Sequence, residues 1–264
     1  MRIARFESAD GRVCTGKLLD DRTAQPLTSE LFESLSFAPD RIPVSRLLPP
    51  VLPPNIFAIG RNYRAHAEET GSRIPESPLV FLKATTSLLP PSGMIELPES
   101  APSEVDFEAE LAIILGRRAR RVPERLAFEH VLGYTCANDV SARDCQRNDR
   151  QWSRAKGFDT FCPLGPWLVT ADEINPDDRG IRSRLNGRIM QNANTGNMMH
   201  SCAKLISYLS HQFTLLPGTV ILTGTPEGVG FARTPPVFLR PGDEIEVEID
   251  GIGTLCNRVK RNKA

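Results

Sequence analysis

The acidic residues at positions 106, 108 and 110 form the pattern in this sequence best suited to chemistry. They lie in the segment 105–115, where charged and apolar residues first alternate, which predicts a β-strand. Residues two apart on a strand share a face, so Asp106, Glu108 and Glu110 would project together. Beyond Glu110 both strand faces are apolar, and a carboxylate there is costly unless it is paired or binds a metal. An exposed acidic strand face is the alternative, and this pattern alone does not decide between them.

A further carboxylate follows a second apolar strand, predicted over residues 131–137. Asp139 stands where that strand ends, and by itself it would be explained by an Asn-Asp turn. Together, Glu108, Glu110 and Asp139 would supply three oxygen ligands, a set that suits Mg²⁺ or Mn²⁺ rather than Zn²⁺. The four histidines form no His-Glu-x-x-His motif and the six cysteines form no Cys-x-x-Cys pair, so no pattern favours a zinc site.

His66 and Glu69 form a candidate acid–base pair. The segment 62–70 is polar and compatible with a helix, and a spacing of three residues places both side chains on one helix face. A histidine that is held by a carboxylate can polarise a water molecule. On spacing alone, an exposed polar helix explains the two residues equally well.

A regular series of arginines follows Asp139. It consists of Arg143, Arg147, Arg150 and Arg154. On one helix this spacing would place all four on one face, either as a solvated basic stripe or as a wall that binds substrate carboxylates. For Arg147 and Arg154 the solvated stripe is the favoured interpretation. Lys156 follows among aromatic residues that could desolvate it, although a lone lysine usually lies at the surface.

The glycine-rich segment 224–230 follows a strand predicted at 220–222. It lacks the Lys-Ser/Thr pair of a phosphate-binding loop and is not a Gly-x-Gly-x-x-Gly motif. We interpret it as a tight loop that brings backbone groups and the hydroxyl of Thr225 close to a ligand.

Strands dominate the elements that would position these groups. Residues 1–20 and residues 244–259 are each predicted to form a hairpin, with Asp-Gly at both turns. Residues 198–210 have the spacing of an amphipathic helix. Because the strands do not alternate with long helices, we expect a β-rich α+β fold, a mixed β-roll or sandwich, rather than a doubly wound sheet. The proline-rich stretch 48–54 predicts a boundary between a small N-terminal module at 1–50 and a main domain at 51–264.

Charge and hydropathy disfavour several classes of function. The 264 residues carry 32 Lys and Arg against 32 Asp and Glu, so the net charge is zero. Such a chain has no excess positive charge to neutralise nucleic-acid phosphates or anionic lipids. The longest apolar run, 111–115, is far shorter than a membrane span, and the first residues contain no apolar signal core. We therefore expect no nucleic-acid or membrane partner, and a cytoplasmic location in which the cysteines stay reduced.

A series of motifs over about residues 55–258 resembles the fumarylacetoacetate hydrolase family, in particular its bacterial acylpyruvate hydrolase and 2-hydroxyhepta-2,4-diene-1,7-dioate isomerase-like branch. The motifs are Asn-Tyr-Arg-Ala-His at 62–66, Phe-Leu-Lys at 81–83, Asp-Phe-Glu-Ala-Glu-Leu at 106–111, Asn-Asp-Val-Ser-Ala-Arg-Asp at 138–144, Lys-Gly-Phe-Asp at 156–159, Leu-Pro-Gly at 216–218 and Thr-Gly-Thr-Pro-Glu-Gly-Val-Gly at 223–230. The resemblance implies the family's mixed β-roll, with 51–264 as the catalytic domain, and a homodimer.

The resemblance also implies roles for individual residues. It makes Glu108, Glu110 and Asp139 the ligands of Mg²⁺ or Mn²⁺. It places the water-activating pair and an enolate-stabilising lysine at His66, Glu69 and Lys156. The implied substrate contacts are Lys83, Arg143, Gln146, Thr225 and Arg150. The eukaryotic hydrolases carry Tyr at the position of Arg150, and an arginine there hints at a second substrate carboxylate.

The implied substrate is a small 2-oxo or 2,4-dioxo acid. We expect a hydrolase that cleaves a carbon–carbon bond of an acylpyruvate or fumarylpyruvate through a metal-stabilised enolate. The same enolate would serve a decarboxylase, for example of oxaloacetate, or an isomerase of 2-hydroxy-dienoates in aromatic catabolism. A non-catalytic, metal-stabilised binding protein is a third alternative, which the presence of both His66 and Glu69 disfavours. We further expect residues 62–77 to form a lid that is mobile without ligand.

Overall fold

The computed structural model describes residues 1–261 and is built mainly of β-strands. The strands before residue 120 are β1 (Arg2–Ser8), β2 (Val13–Leu18), β3 (Thr23–Pro26), β4 (Ile42–Leu48), β5 (Ile56–Gly60), β6 (Leu79–Lys83), β7 (Leu88–Leu89), β8 (Met94–Leu97), β9 (Val105–Asp106) and β10 (Ala109–Leu115). The later strands are β11 (Val131–Asn138), β12 (Ser141–Ala142), β13 (Cys162–Thr170), β14 (Gly180–Leu185), β15 (Arg188–Asn194), β16 (Val220–Leu222), β17 (Glu244–Ile249) and β18 (Gly253–Arg261).

Helices are few and mostly short. The α-helices within residues 1–261 are α1 (Arg64–Glu69), α2 (Arg143–Asn148), α3 (Ser153–Gly157) and α4 (Cys202–Gln212). Single turns of 3₁₀-helix lie at Thr85–Ser87, Ala171–Glu173, Thr195–Asn197 and Gly230–Ala232, and a longer one at Glu124–His130. Along the described chain, none of the helices combines the length and hydropathy that a membrane span requires.

Most strands belong to one mixed sheet. Its strand order is β2-β3-β4-β1-β13-β11-β10-β16-β5-β6, and β7 pairs with β13 outside this path. Neighbouring strands are antiparallel except that β16 runs parallel to β5, and β7 parallel to β13. The predicted N-terminal hairpin is present as β1 and β2. Strand β1 also pairs with β13, so residues 1–50 extend the sheet of the main domain; the division at residue 50 stays a prediction.

A second, five-stranded sheet has the order β15-β14-β17-β18-β8 and contains the predicted C-terminal hairpin as β17 and β18. Apolar side chains of β10, such as Leu111 and Ile113, share one core cluster with Val247 of this sheet and with Leu205 and Ile206 of α4. All seven residues of β10 are buried, which places this strand at the centre of the molecule. The β-rich α+β fold with few helices is therefore confirmed.

The acidic segment is not one continuous strand as expected. It is split into β9 and β10, because Glu108 leaves the ladder and its backbone N–H donates to the Asn138 side chain at 3.0 Å. The backbone N–H of Asp139 in turn donates to the Glu108 carbonyl at 2.9 Å. This irregularity brings Glu108 and Asp139 together at the end of β11.

Candidate active site

All the buried aspartate, glutamate, lysine and arginine residues in the described part of the chain lie in one cluster. They are Lys83, Asp106, Glu108, Glu110, Asp139, Arg143 and Lys156. When all of them are ionised, four carboxylates face three cations, and the cluster has a formal net charge of −1. Burying charge in this way is costly, and an excess negative charge in such a place favours the binding of a cation.

Glu108, Glu110 and Asp139 are brought together as the sequence predicted. Each offers a carboxylate oxygen, and these oxygens all lie within 4.8 Å of one another. The antiparallel pairing of β10 with β11 sets this arrangement, because Glu110 lies opposite Ala137 and the chain then continues to Asp139. Three buried carboxylates and no sulfur or imidazole ligand form a donor set for a hard divalent cation such as Mg²⁺ or Mn²⁺.

Glu110 lacks a cationic partner of its own within residues 1–261. Its Oε2 accepts a hydrogen bond of 2.7 Å from the backbone N–H of Gly224. Burial, reinforced by the charges of Asp139 and Glu108, raises the pKa of the Glu110 carboxyl well above its ordinary value. The fold alone therefore favours a proton on Glu110, whereas a divalent cation would compensate its charge directly.

Lys156 neutralises the other two carboxylates. Its Nζ donates to Glu108 Oε2 and to Asp139 Oδ2, both at 2.7 Å. Burial lowers the pKa of Lys156, but Asp139 and Glu108 outweigh this effect and leave it raised. Burial alone would raise the pKa of Glu108. The positive charges of Lys156 and Arg143 outweigh burial and lower this pKa to about 2. An ammonium group has three N–H bonds, so one remains for a ligand.

Lys83 supports Asp139 from outside the cavity. Its Nζ donates to Asp139 Oδ1 at 2.5 Å and also to the carbonyl of Lys156. The side chain is fully buried and is not among the residues that line the cavity. This position suits a residue that fixes a carboxylate, and the substrate contact predicted for Lys83 stays a prediction.

Arg143 links the acidic cluster to Gln146. Its Nε donates to Asp106 Oδ2 at 2.9 Å, and its Nη1 lies 2.7 Å from Glu108 Oε1 and donates to Gln146 Oε1 at 2.9 Å. Its Nη2 lies 2.9 Å from the Asp106 carboxylate, but the geometry is not that of a hydrogen bond. Nη2 therefore has no hydrogen-bond acceptor among the described residues. The guanidinium stacks on Phe231 at 4.3 Å from the ring centre. Arg143 thus keeps N–H groups for a ligand.

His66 and Glu69 lie together on α1 as predicted. The His66 Nδ1 is 2.9 Å from Glu69 Oε1, and Glu69 Oε2 accepts a hydrogen bond of 2.8 Å from the backbone N–H of Gly228. Because the carboxylate can only accept, this contact makes Nδ1 the donor and leaves Nε2 available to water or substrate. His66 is buried and lines the cavity.

Asn62 anchors the start of α1 to the end of β16. Its Nδ2 donates to the carbonyls of Thr223 and His200 at 2.8 and 3.0 Å, and its Oδ1 accepts from the His200 N–H at 2.9 Å. Gly224 packs directly against it: the backbone φ of Gly224 is +99°, and a Cβ there would lie 2.7 Å from Asn62 Cβ. Only glycine allows this close approach, which also aims the Gly224 N–H at Glu110.

The cavity beside this cluster has a volume of about 210 Å³. Most of the predicted residues line it, namely His66, Glu108, Arg143, Gln146, Lys156 and Thr225. The volume is small compared with the roughly 300–1,000 Å³ of sites for drug-sized ligands. The site therefore suits a small molecule.

The predicted arginine stripe is divided between α2 and α3, since the chain is extended at Asp149, whose carboxylate accepts two hydrogen bonds from Arg154. As a result Arg150 is exposed and is not among the residues that line the cavity, so its substrate contact stays a prediction. Arg147 and Arg154 are exposed, as the interpretation of a solvated stripe expected, and Arg147 also contributes to the cavity wall and pairs with Glu104 at 2.6 Å.

The sequence pattern did not single out Gln191, which the structure places beneath the cavity. Its Oε1 accepts from the Ala109 N–H at 2.9 Å, between two of the candidate metal ligands. Its Nε2 donates to Thr225 Oγ1 at 2.7 Å, and that hydroxyl donates to the Ala109 carbonyl at 2.9 Å. Thr225 therefore has only an acceptor lone pair left for a ligand. No local pattern in the sequence distinguishes this glutamine, because its burial and its contacts follow only from the fold.

Replacing Gln191 should disturb the site without removing any ligand. In Gln191→Met the Ala109 N–H loses its acceptor, and we expect a loss of about 1–3 kcal/mol in the free energy of unfolding together with weaker Mn²⁺ binding. Urea unfolding and calorimetric Mn²⁺ titration measure the two effects. Gln212→Met, at the exposed end of α4, is the control. Equal stability and affinity in both variants would contradict this role.

Comparisons with known proteins agree with this arrangement. Residues 55–260 match the family described as Fumarylacetoacetate (FAA) hydrolase C-terminal. A Xenopus laevis protein named oxaloacetate tautomerase fahd2, mitochondrial, is 48% identical over 82% of this chain and 68% of its own length. The structure of 5-carboxymethyl-2-hydroxymuconate delta-isomerase from Mycobacterium smegmatis is 43% identical, covers 99% of this chain and 100% of its own, and has a TM-score of 0.89.

A fumarylacetoacetate hydrolase from Exiguobacterium antarcticum is 36% identical, covers 99% of this chain and 100% of its own, and has a TM-score of 0.87. The family match spans most of the chain, and it includes the segments that carry His66, the three clustered carboxylates and Lys156. The motifs of the sequence, the β-rich fold and the comparisons agree. The chain therefore belongs to the fumarylacetoacetate hydrolase family and has the fold of that family's C-terminal domain.

Proposed function

We propose that this family member is a divalent-cation-dependent enzyme that shifts a proton within a small 2-oxo acid, as a tautomerase or isomerase that works through an enolate. The observation that carries the proposal is that His66, held by Glu69, lines the same small cavity as Glu108 and Lys156. The names of the Xenopus and M. smegmatis relatives, a tautomerase and an isomerase, support it. Both kinds of reaction move a proton and a double bond, for which a positioned base beside an electrophilic site is sufficient.

Each side chain of the candidate site has a defined task in this proposal. His66 would take the proton from the substrate carbon at Nε2 and return it to the new position, while Glu69 holds the ring through Nδ1. The free N–H of Lys156 would donate to the developing enolate oxygen. Arg143 and Gln146 would orient the substrate carboxylate at the cavity wall.

The residues present fit a resident cation. Glu108, Glu110 and Asp139 would hold it, and their net negative charge and the lack of a cationic partner for Glu110 among residues 1–261 support this assignment. When bound, Mg²⁺ or Mn²⁺ would act as a Lewis acid that lowers the energy of an enolate.

Carbon–carbon hydrolysis of a 2,4-dioxo acid, expected from the sequence, is the second candidate. It is favoured by the way Glu69 is itself fixed by the Gly228 N–H, since a rigid His–Glu pair also suits the activation of water. The hydrolase from E. antarcticum adds support. Decarboxylation would need the same enolate but no base.

One assay separates these reactions. The protein is incubated with oxaloacetate, acetylpyruvate and 2-hydroxyhepta-2,4-diene-1,7-dioate, in Mg²⁺ and in EDTA. We expect a Mg²⁺-dependent loss of the oxaloacetate enol, measured by its ultraviolet absorbance, without release of pyruvate. Formation of pyruvate and acetate from acetylpyruvate as the fastest reaction would favour the hydrolase instead. No turnover of any substrate would favour the non-catalytic binding protein.

Glu69→Gln tests the proton-transfer pair. The amide can no longer hold the Nδ1–H of His66 as an ionised acceptor, so we expect kcat for the favoured substrate to fall about 100-fold or more. Binding of oxalate, measured by calorimetry, should be unchanged. Glu68→Gln is the matched control, because Glu68 is the exposed neighbour on the same helix. If both variants keep the wild-type kcat, the pair has no role in catalysis.

The cytoplasmic location and the homodimer expected from the sequence stay predictions. All six cysteines are free thiols, which supports a reducing compartment. Strand β6 lies at the edge of the large sheet and exposes Leu79 and Leu82, and an apolar sheet edge of this kind supports a contact with a second copy.

A further inference from the structure

Arg61 differs from the other cations of the cavity because it has no acidic partner within residues 1–261. Arg143 pairs with Asp106 and Glu108, Lys156 with Glu108 and Asp139, and Arg147 with Glu104. Arg61 lines the same cavity, and its guanidinium contacts an aromatic ring. An unpaired guanidinium in a cavity wall keeps its N–H groups for an anion.

The surroundings of Arg61 hold its guanidinium in place. It lies 5.7 Å from the centre of the Trp152 ring, and Trp152 packs edge-on against Phe81 at 5.3 Å. Gly60 permits this packing, since a Cβ there would lie 2.7 Å from Trp152 Cζ3. A cation over an aromatic face is attracted to it without using its hydrogen-bond donors, so the charge is positioned but not neutralised.

The backbone at Arg61 is unusual as well. Its φ is +56°, in the left-handed region that favours glycine. Residues in such conformations cluster at ligand-binding sites, where the strain positions a side chain. The neighbouring Asn62 packs against Gly224, whose backbone N–H donates to Glu110, so Arg61 is linked to the proposed cation site through these two residues.

The residues that line the cavity differ in burial. Glu108, Lys156 and His66 are buried, whereas Arg61 and Trp152 are only partly buried. A bound divalent cation would change the formal net charge of the ionised buried cluster from −1 to +1. One carboxylate of the substrate would neutralise this positive charge. A ligand with a second carboxylate would then need a second cation, and Arg61 is available for it.

We propose that Arg61 binds the distal carboxylate of a dicarboxylic 2-oxo acid, an inference that rests on the proposed function and narrows its substrate class. Its charge-assisted hydrogen bonds would select diacids over monoacids of the same length. Arg150, suggested for this role by the sequence, is exposed and is not among the residues lining the cavity, so it serves as the rival assignment.

Two ligands with one skeleton test the proposal. Oxaloacetate carries the distal carboxylate, and its 4-methyl ester lacks that charge. In saturating Mg²⁺ we expect Arg61→Gln to weaken oxaloacetate binding about 10- to 100-fold, measured as Kd by calorimetry and as KM, with little change for the ester or for oxalate. Arg61→Lys should recover part of the affinity, because it keeps the charge but not the planar fork.

Arg154→Gln and Arg150→Gln are the comparisons, since both residues are exposed and neither is among those that line the cavity. Both remove one positive charge, and we expect both to bind oxaloacetate within about twofold of the wild type. A selective loss of diacid binding in Arg150→Gln, or an unchanged Kd in Arg61→Gln, would overturn the proposal, as would a wild type that binds the ester as tightly as the diacid. The measurement of Kd does not require the protein to convert its ligand. A protein that binds diacids through Arg61 but converts none of them would therefore refute the proposed function and leave the role of Arg61 in binding intact.

Discussion

Glu110→Gln is expected to weaken Mn²⁺ binding by roughly 100-fold or more while making the metal-free protein more stable. The loss of affinity follows because Glu110 is one of three clustered carboxylates and lacks a cationic partner of its own within residues 1–261. The gain in stability follows because a neutral amide removes the repulsion from Asp139 and Glu108 that the buried carboxylate experiences.

The gain in the free energy of unfolding expected for Glu110→Gln should depend on pH. Folding raises the pKa of Glu110 above its ordinary value of 4.5, so the folded protein keeps this proton at a pH where the unfolded chain releases it. The wild-type contribution is therefore fully present below pH 4.5 and is lost as the pH rises toward the folded pKa. Glu110→Gln lacks this loss, and urea unfolding in EDTA from pH 5 to pH 8 should show the difference increasing with pH.

The control is Glu124→Gln, which removes an exposed carboxylate that is not among the residues lining the cavity. It should change neither the Mn²⁺ affinity nor the pH dependence. If Glu110→Gln binds Mn²⁺ as the wild type does, the three carboxylates are not the cation site. If it is less stable at pH 8, the repulsion inferred for Glu110 is absent.

Lys156→Met is expected to destabilise the metal-free protein by about 3–5 kcal/mol, the typical cost of removing one partner from a buried ion pair. Methionine fills a similar volume but leaves Glu108 and Asp139 without the ammonium that bonds to both of them. Saturating Mg²⁺ should restore part of the lost stability, because a cation held by the same carboxylates would replace the missing charge.

Urea unfolding with and without Mg²⁺ measures both effects. Lys260→Met is the matched control, since Lys260 forms a 2.7 Å ion pair with Glu96 at the surface. An exposed pair contributes about 0–1 kcal/mol, and Mg²⁺ should not affect this variant differently from the wild type. A loss of stability in Lys156→Met no larger than in Lys260→Met would show that the buried cluster does not depend on this lysine.

The three carboxylates could be predicted because the signal for each was local. Strand alternation placed Glu108 and Glu110, and the end of an apolar strand placed Asp139. Their neighbours could not be read in this way, since the contacts join distant parts of the chain: Gln191 and Thr225 are 34 residues apart, and Lys83 and Asp139 are 56 residues apart. Local spacing carries no information about such contacts, which exist only once the sheet has formed.

Departures from regular structure limited the remaining predictions. A continuous strand was the natural interpretation of the alternation at 105–115, but the backbone of Glu108 bonds to Asn138 instead. A continuous helix was the natural interpretation of four evenly spaced arginines, yet the chain is extended at Asp149 and Arg150 is exposed. Both irregularities lie beside the cavity, where local regularity yields to the placement of functional side chains.

The unequal anchoring of α1 has a consequence for turnover. The Asn62 side chain donates two hydrogen bonds and accepts one, which fasten the first end of this helix to Thr223, just after β16, and to His200. The Gly228 contact of Glu69 holds its other end. If α1 moves as the sequence predicts, it should rotate as a rigid unit about a hinge at Asn62. The hinge and the Gly224 bond to Glu110 would then stay still while His66 departs, so the protein could exchange product for substrate and retain its cation through many cycles.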